Sequence, residues 1–292
     1  MARTILDNIG NTPLVKVESA DNDDSANIFA KIEGMNPGGS IKDRIALNMI
    51  LDAEEKGLLK EGDTIIEPTS GNTGVALAMV AAMTGYKAQL IMPNTTSPEK
   101  MKIIKAFGGE VVLIEKNEWG EVKKVIEKIK DRIKNGEKLV LLNQYENKNN
   151  PGAHYIQTAE EIIAQMEDLP DPNFFVAGMG TGGTITGVGL RLKEKFPNIK
   201  IIGVQPVSGD TIEGLRSLED FIPPVVNLDL INKIYDLEAK KALEAKDELA
   251  KTKGILAGPS SGAAFFISKQ LAAENPGATI VTIFPDRGER YL

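Results

Sequence analysis

The segment Thr64-Ile65-Ile66-Glu67-Pro68-Thr69-Ser70-Gly71-Asn72-Thr73-Gly74 reads as a short apolar strand that breaks at a proline and passes through a polar turn into a helix. The helix is predicted from Gly74 to Thr84, built of small residues and closed by Gly85, and Ala88 to Met92 follows as another strand. The same unit recurs downstream. A helix from Ser97 to Phe107 precedes a strand from Glu110 to Ile114, and a helix from Glu121 to Lys134 precedes a strand from Leu139 to Leu142. The polar stretch from Asn143 to Pro151 reads as a domain crossing. Beyond it come a helix from Thr158, the strand Phe174 to Ala177, a helix from Thr184, the strand Lys200 to Val204, and a last strand from Ala278 to Phe284. Strands and helices alternating at this spacing imply βα units and largely parallel sheets covered on both faces. Upstream, Leu14 to Val17 and Asn27 to Glu33 read as strands joined by the acidic turn Asp21 to Asp24. The segment from Ser208 to Pro224 is loop-rich, and Leu237 to Lys251 reads as a charged amphipathic helix.

Composition narrows the chemistry. At 292 residues with 42% hydrophobic content, the chain has room for two globular domains. No apolar run approaches eighteen residues, and the start Met1 to Leu6 lacks a signal-peptide core, so a soluble cytoplasmic protein is expected. Zero cysteines exclude disulfides, thiol catalysis and cysteine-based zinc sites, and a single histidine, His154, makes a metal centre improbable. A net charge of -7 argues against nucleic-acid and membrane partners, so any bound anion must be held by local groups.

Four stretches have the residue types that hold small anions or carry out carbonyl chemistry. In Asn36-Pro37-Gly38-Gly39-Ser40-Ile41-Lys42-Asp43-Arg44 a proline–glycine turn leads into a helix, with Ser40 as the expected N-cap and Lys42 in the first turn. A cation is disfavoured there by the helix dipole. An amine that must be neutral to attack a carbonyl is one reason for it; a solvated lysine held by Asp43 is the other. In Pro68 to Gly74, hydroxyls, an amide and helix N–H groups converge at the carboxyl end of a strand, an arrangement suited to a carboxylate. Gly178-Met179-Gly180-Thr181-Gly182-Gly183-Thr184 follows a strand and opens a helix, and its glycines let backbone N–H groups close on a phosphate. Gly178, Gly180 and Gly183 also match a dinucleotide-binding spacing. That reading requires an acidic residue at the end of the next strand, where this chain has Gln205-Pro206. Ala257-Gly258-Pro259-Ser260-Ser261-Gly262-Ala263, read alone, is the cap of a last helix expected to open at Ser260.

In this order the four stretches resemble the pyridoxal-phosphate enzymes of the cysteine synthase family, the O-acetylserine sulfhydrylases. Asp7 to Leu14 and Asp286 to Leu292 are similar to the family's two ends, so the resemblance spans essentially the whole chain. It implies an α/β fold of two open, twisted, mostly parallel sheets flanked by helices, like the tryptophan synthase β chain, with the cofactor in a cleft between two domains. The implied domains are 1–12 with 35–147, carrying the substrate loop, and 13–34 with 148–292, carrying the phosphate loop. Lys42 is implied as the Schiff-base lysine and catalytic base. Asn72 is implied to bond the cofactor's phenolic oxygen, Gly180, Thr181, Gly182, Gly183 and Thr184 its phosphate, and Ser260 to face the pyridine nitrogen. Thr69, Ser70, Asn72, Thr73 and Gln144 match positions that bind the substrate's α-carboxylate.

Thr211 to Arg216 followed by Phe221-Ile222-Pro223 resembles the B-type isozyme, whose arginine enlarges and charges the sulfur-donor pocket. Arg216 is therefore the expected contact for thiosulfate or another anionic donor, against the alternative of a solvated loop arginine. The implied activity is synthesis of L-cysteine from O-acetyl-L-serine and sulfide by a cytoplasmic homodimer. O-phosphoserine sulfhydrylase, cystathionine β-synthase and serine/threonine dehydratase are alternative reactions on the same fold, and a non-catalytic regulator keeping the fold is a further reading.

Overall fold

The structure is a computed structural model that describes residues 4–18, 26–115 and 122–292. The acidic turn at 21–24 and the expected helix start at Glu121 lie outside these residues. The chain divides into two compact units, one of residues 1–9 and 42–149, the other of residues 10–41 and 150–292.

In the first unit, four parallel strands lie in the order β5-β4-β3-β6, with β3 at Thr64–Pro68, β4 at Lys87–Pro93, β5 at Glu110–Ile114 and β6 at Leu139–Leu141. Side chains alternate across a strand, so Ile66 and Ile91 face one way and pack under Val125 and Ile129 of helix α4, Val122–Lys134. On the opposite face Leu90 and Ile104 close around Gly74 of helix α2, Asn72–Thr84. A Cβ at Gly74 would stand 2.8 Å from the Thr69 methyl, so the small residue is what lets α2 lie close on the strand it follows. Helices α1, Lys42–Glu55, and α3, Pro98–Ala106, flank α2.

In the second unit six strands run β1-β2-β10-β7-β8-β9: Leu14–Glu18, Asn27–Ile32, Thr279–Phe284, Phe174–Gly178, Lys200–Pro206 and Lys233–Leu237. Only β1 pairs antiparallel among them. The central strands β10 and β7 are buried at nearly every position because both faces are covered. Ile28, Phe174, Val176, Ile202 and Ile280 pack with helices α8, Ala239–Lys253, and α9, Pro259–Glu274. Their neighbours Phe29, Phe175, Ala177, Ile201 and Val281 pack with α6, Ala159–Gln165, and α7, Gly183–Lys195.

Four local expectations change. Lys233–Leu237 is a strand, so the helix expected from Leu237 begins at Ala239. The expected crossing to Pro151 already contains helix α5, Asn149–Ala153, which continues through a π-turn at His154–Thr158 into α6. Ser40, expected as the cap of α1, forms a β-bridge with Asp286, and the helix starts two residues later, at Lys42. The last helix opens one residue earlier than Ser260, with Gly258 at the cap and Pro259 in the first turn, where its missing N–H costs nothing. Among the described residues no helix is long and apolar enough to cross a membrane.

Candidate active site

Each sheet has one place where the strand order reverses. In the first unit the chain leaves β3 toward β4 and β5, then returns to add β6 on the other side of β3; in the second it leaves β7 toward β8 and β9, then returns to add β10 on the other side of β7. Such switch points open a crevice at the carboxyl ends of the strands, the usual ligand position in open α/β sheets. The two polar motifs sit there.

In the first unit the turn after β3 carries Thr69, Ser70 and Gly71, and α2 begins at Asn72. Thr69 is buried, and its hydroxyl accepts the Gly71 N–H at 3.1 Å, which tightens the turn; Ser70 is exposed and Asn72 half-buried. Thr73 donates to Gln144 Oε1 at 2.7 Å, and Gln144 Nε2 donates to the Pro68 carbonyl at 3.2 Å. Thr69, Thr73 and Gln144 are thus brought together around the end of β3, although Gln144 lies 71 residues after Thr73. Lys100 of α3 lays its aliphatic stem against Gly71, where a Cβ would stand 2.6 Å from its Cδ. Lys42 is the first residue of α1 and is half-buried. The turn before it is anchored in the second unit: Ile41 N–H donates to Pro285 O at 2.8 Å, and Arg290 donates to the Gly38 carbonyl.

Glu67, at the end of β3, has no solvent exposure. Its two oxygens accept the backbone N–H groups of Gln144 at 2.9 Å and Asn143 at 2.8 Å. Burial pushes its carboxyl up to about 7, against the two N–H groups, which pull it down. Neither side-chain amide atom of buried Asn143 has a hydrogen-bond partner among the described residues, and its φ is +53°.

In the second unit Gly178–Thr184 joins β7 to α7. Gly182 takes a left-handed φ of 81° at the cap, and the first N–H groups of α7 have no intrahelical acceptor. Thr181 Oγ1 accepts from Asn150 Nδ2 at 3.0 Å, and Thr184 Oγ1 lies 3.3 Å from Nε2 of fully buried His154, whose Nδ1 is 3.1 Å from Thr158 Oγ1. A Cβ at Gly180 would meet the Gly214 carbonyl at 2.6 Å, and one at Gly214 would lie 3.5 Å from Ser260 Oγ. Gly180, Gly214 and Ser260 therefore meet at one spot, and Ser260 is 4% exposed. The segment after Gly214 is tied to the same loop, since Arg216 N–H donates to the Met179 carbonyl at 2.7 Å. Arg216 is half-buried, its guanidinium 5.9 Å from the centroid of the Phe221 ring, which is more restraint than a solvated loop arginine has. Gln205, where a dinucleotide fold would carry its acid, donates to Asp236 at 2.8 Å and accepts the Leu218 N–H at 3.0 Å.

Sequence reasoning did not pick out Glu67, Asn150, His154 or Gly214. Glu67, Asn150 and Gly214 lie inside quoted stretches, but the groups they meet lie far away in sequence.

The fold and these loops define an α/β protein of the kind that takes anionic small molecules at helix N-termini. A family model described as pyridoxal-phosphate dependent enzyme matches residues 5–286, and the chain belongs to that family. Cysteine synthase of Staphylococcus aureus is 43% identical over 305 residues, covering 100% of this chain and 97% of the relative. Cysteine synthase B of Escherichia coli is 41% identical over 290 residues, covering 99% and 94%. Among solved structures, a hydrogen sulfide-producing enzyme from Fusobacterium nucleatum matches with a TM-score of 0.93 at 40% identity over 100% of both chains. An O-ureido-L-serine synthase matches with a TM-score of 0.92 at 38% identity, over 100% of this chain and 94% of its own.

The enzyme is pyridoxal-phosphate dependent, and its residues fit the group. The phosphate suits a helix N-terminus whose glycines bring backbone N–H groups forward and whose two threonine hydroxyls are held from behind by Asn150 and His154. Crowding supports the fit: side chains at Gly182 or Gly183 would run into Val226 or Asn150, so the backbone itself is what this loop presents.

Proposed function

We propose that this enzyme makes L-cysteine from O-acetyl-L-serine and sulfide by β-replacement, with thiosulfate as an alternative donor. The observation that carries the substrate side is the Thr73–Gln144 hydrogen bond beside Thr69 at the start of α2. It sets hydroxyls, an amide and helix N–H groups at one strand end, a donor set matched to an amino acid's carboxylate.

When bound, pyridoxal phosphate supplies an aldehyde that condenses with amines and a ring that withdraws electrons from the substrate's Cα. Lys42 is the amine assigned to that aldehyde. Displaced by the substrate's own amine, it removes the Cα proton, and it returns a proton to Cα after sulfide has added. Thr69, Ser70, Asn72, Thr73 and Gln144 hold the α-carboxylate and so orient the Cα–H bond, while Asn72 also bonds the phenolic oxygen. Gly180, Thr181, Gly182, Gly183 and Thr184 hold the phosphate. Ser260 faces the pyridine nitrogen with a neutral hydroxyl, which does not keep that nitrogen protonated as a carboxylate would. With a hydroxyl from Ser260 there, the bound group would be a moderate electron acceptor, which would favour loss of the β-substituent. Arg216, steadied by Phe221, meets an anionic sulfur donor. By the family resemblance, residues 1–12 with 35–147 make up the substrate-loop domain and 13–34 with 148–292 the phosphate-loop domain, a division that differs from the two compact units at residues 10–12, 35–41 and 148–149. The family resemblance supports a homodimer acting in the cytoplasm.

Product analysis tests the assignment. The holoenzyme is given O-acetyl-L-serine, O-phospho-L-serine or L-serine with sulfide, thiosulfate or homocysteine in turn. The highest kcat/KM is expected for cysteine formation from O-acetyl-L-serine and sulfide; preferential use of O-phospho-L-serine or formation of cystathionine would replace this reading.

A further inference from the structure

Glu67 is a fully buried carboxyl that none of the steps above uses, and isolating such a group from water is costly unless its bonds do something a neutral residue would not. Each of its oxygens takes one backbone N–H, from Asn143 and from Gln144. Asn143 is a non-glycine residue at φ +53°, a conformation that persists where neighbouring contacts over-determine it. The consecutive N–H groups on one carboxylate do that, and they fix where Gln144 leaves the turn after β6. From there its amide spans two groups of the β3 turn, accepting from Thr73 and donating to the Pro68 carbonyl, so its oxygen and nitrogen cannot exchange places without losing both bonds. The chain of contacts runs from Glu67 through the Gln144 backbone to the Gln144 side chain and the Thr73 hydroxyl.

We infer that Glu67 is a positioning residue for the substrate's carboxylate, acting through Gln144. The inference rests on the proposed reading of the β3 turn as the carboxylate site. It requires an acceptor at both side-chain oxygens. The amide of Glu67→Gln has the same shape but presents an NH2 group to one of the two backbone N–H donors, so that turn must shift.

The test is a double-mutant cycle on the holoenzyme at pH 8 with Glu67→Gln, Gln144→Ala and the pair. Readouts are KM for O-acetyl-L-serine, KM for sulfide, kcat, and the dissociation constant of non-reacting L-alanine from the cofactor's visible band. Glu67→Gln is expected to raise the amino-acid KM and the L-alanine constant about tenfold, as for loss of one well-placed hydrogen bond, with sulfide KM changed less than about twofold. Added to Gln144→Ala it is expected to do little more. Unchanged L-alanine binding, a full multiplicative loss on top of Gln144→Ala, or a loss fully accounted for by a smaller amount of folded protein would overturn the inference. If Glu67→Gln does not accumulate as folded protein, Glu67→Asp, which keeps the charge one methylene short, is read in the same way, and unchanged L-alanine binding again overturns it. Should the wild-type enzyme make no cysteine, the proposed reaction falls, while the L-alanine titration still reads Glu67.

Discussion

Thr73 Oγ1 donates to Gln144 Oε1 at 2.7 Å, so the first turn of α2 and the turn after β6 are joined across the switch point of the first sheet. Thr73→Val takes this hydrogen bond away from a buried amide oxygen, a loss of about 1–3 kcal/mol. That converts to roughly ten- to a hundredfold in kcat/KM for the amino-acid substrate at about 1.4 kcal/mol per decade. Steady-state kinetics with O-acetyl-L-serine varied at saturating sulfide checks this; an unchanged kcat/KM would detach Thr73 from substrate binding.

Gly183→Ala tests the phosphate loop. The new methyl would run into the Asn150 side chain, which holds Thr181, so the substitution disturbs both the backbone N–H groups and a threonine of the loop. Cofactor affinity is expected to fall at least about tenfold, as when one charge-assisted hydrogen bond is lost. Equilibrium dialysis of the apoenzyme with pyridoxal phosphate reads this directly, and full retention at low cofactor concentration would contradict the phosphate assignment.

Glu67 gives a pH dependence whose sign follows from its raised carboxyl, 4.5 in the ordinary case and about 7 here. The folded protein holds the proton more tightly than the unfolded chain. The group's contribution to stability is therefore fully present below about 4.5 and is lost as pH rises through about 7. The span corresponds to about 3 kcal/mol at about 1.4 kcal/mol per unit. Glu67→Gln does not titrate, so the wild-type minus variant unfolding free energy is expected to fall by about that amount from pH 4.5 to pH 8. Denaturant melts at both pH values measure it; a difference that does not change with pH would mean the carboxyl is not held protonated by burial.

Arg216 is expected to discriminate between sulfur donors. The chain carries a net charge of -7, so a doubly charged donor needs a local cation, and Arg216 is fixed near the phosphate loop by its N–H bond to Met179 and by the Phe221 ring. Arg216→Ala is expected to lose roughly ten- to a hundredfold in kcat/KM with thiosulfate, as for a charge-assisted bond of about 1.5–3 kcal/mol, and to change little with sulfide. Both donors are compared at one ionic strength; equal losses would assign Arg216 to loop structure.

How much of this the sequence could tell depends on the range of each interaction. The strand from Phe174 and the glycine loop at 178–184 were legible because continuous apolar runs, glycines and helix starts are local signals. Lys233–Leu237 was not, since its alternation of Lys233, Tyr235 and Leu237 with Ile234 and Asp236 is weak and the strand exists by pairing with β8. Ser40 was expected to open the helix because local propensity favours a cap there, yet the helix starts two residues later, at Lys42, and Ser40 forms a long-range bridge to Asp286. Glu67 stood inside a quoted strand and was passed over, because its partners are backbone groups 76 and 77 residues away that no side-chain pattern announces.

The central claim is that Lys42 is the residue joined to the cofactor. Borohydride reduction of the holoenzyme makes any lysine–cofactor linkage permanent, and peptide mass spectrometry then locates it. The account predicts the phosphopyridoxyl mass on the peptide containing Lys42 and its disappearance in Lys42→Ala. The same mass on a peptide carrying another lysine, such as Lys100, would contradict it.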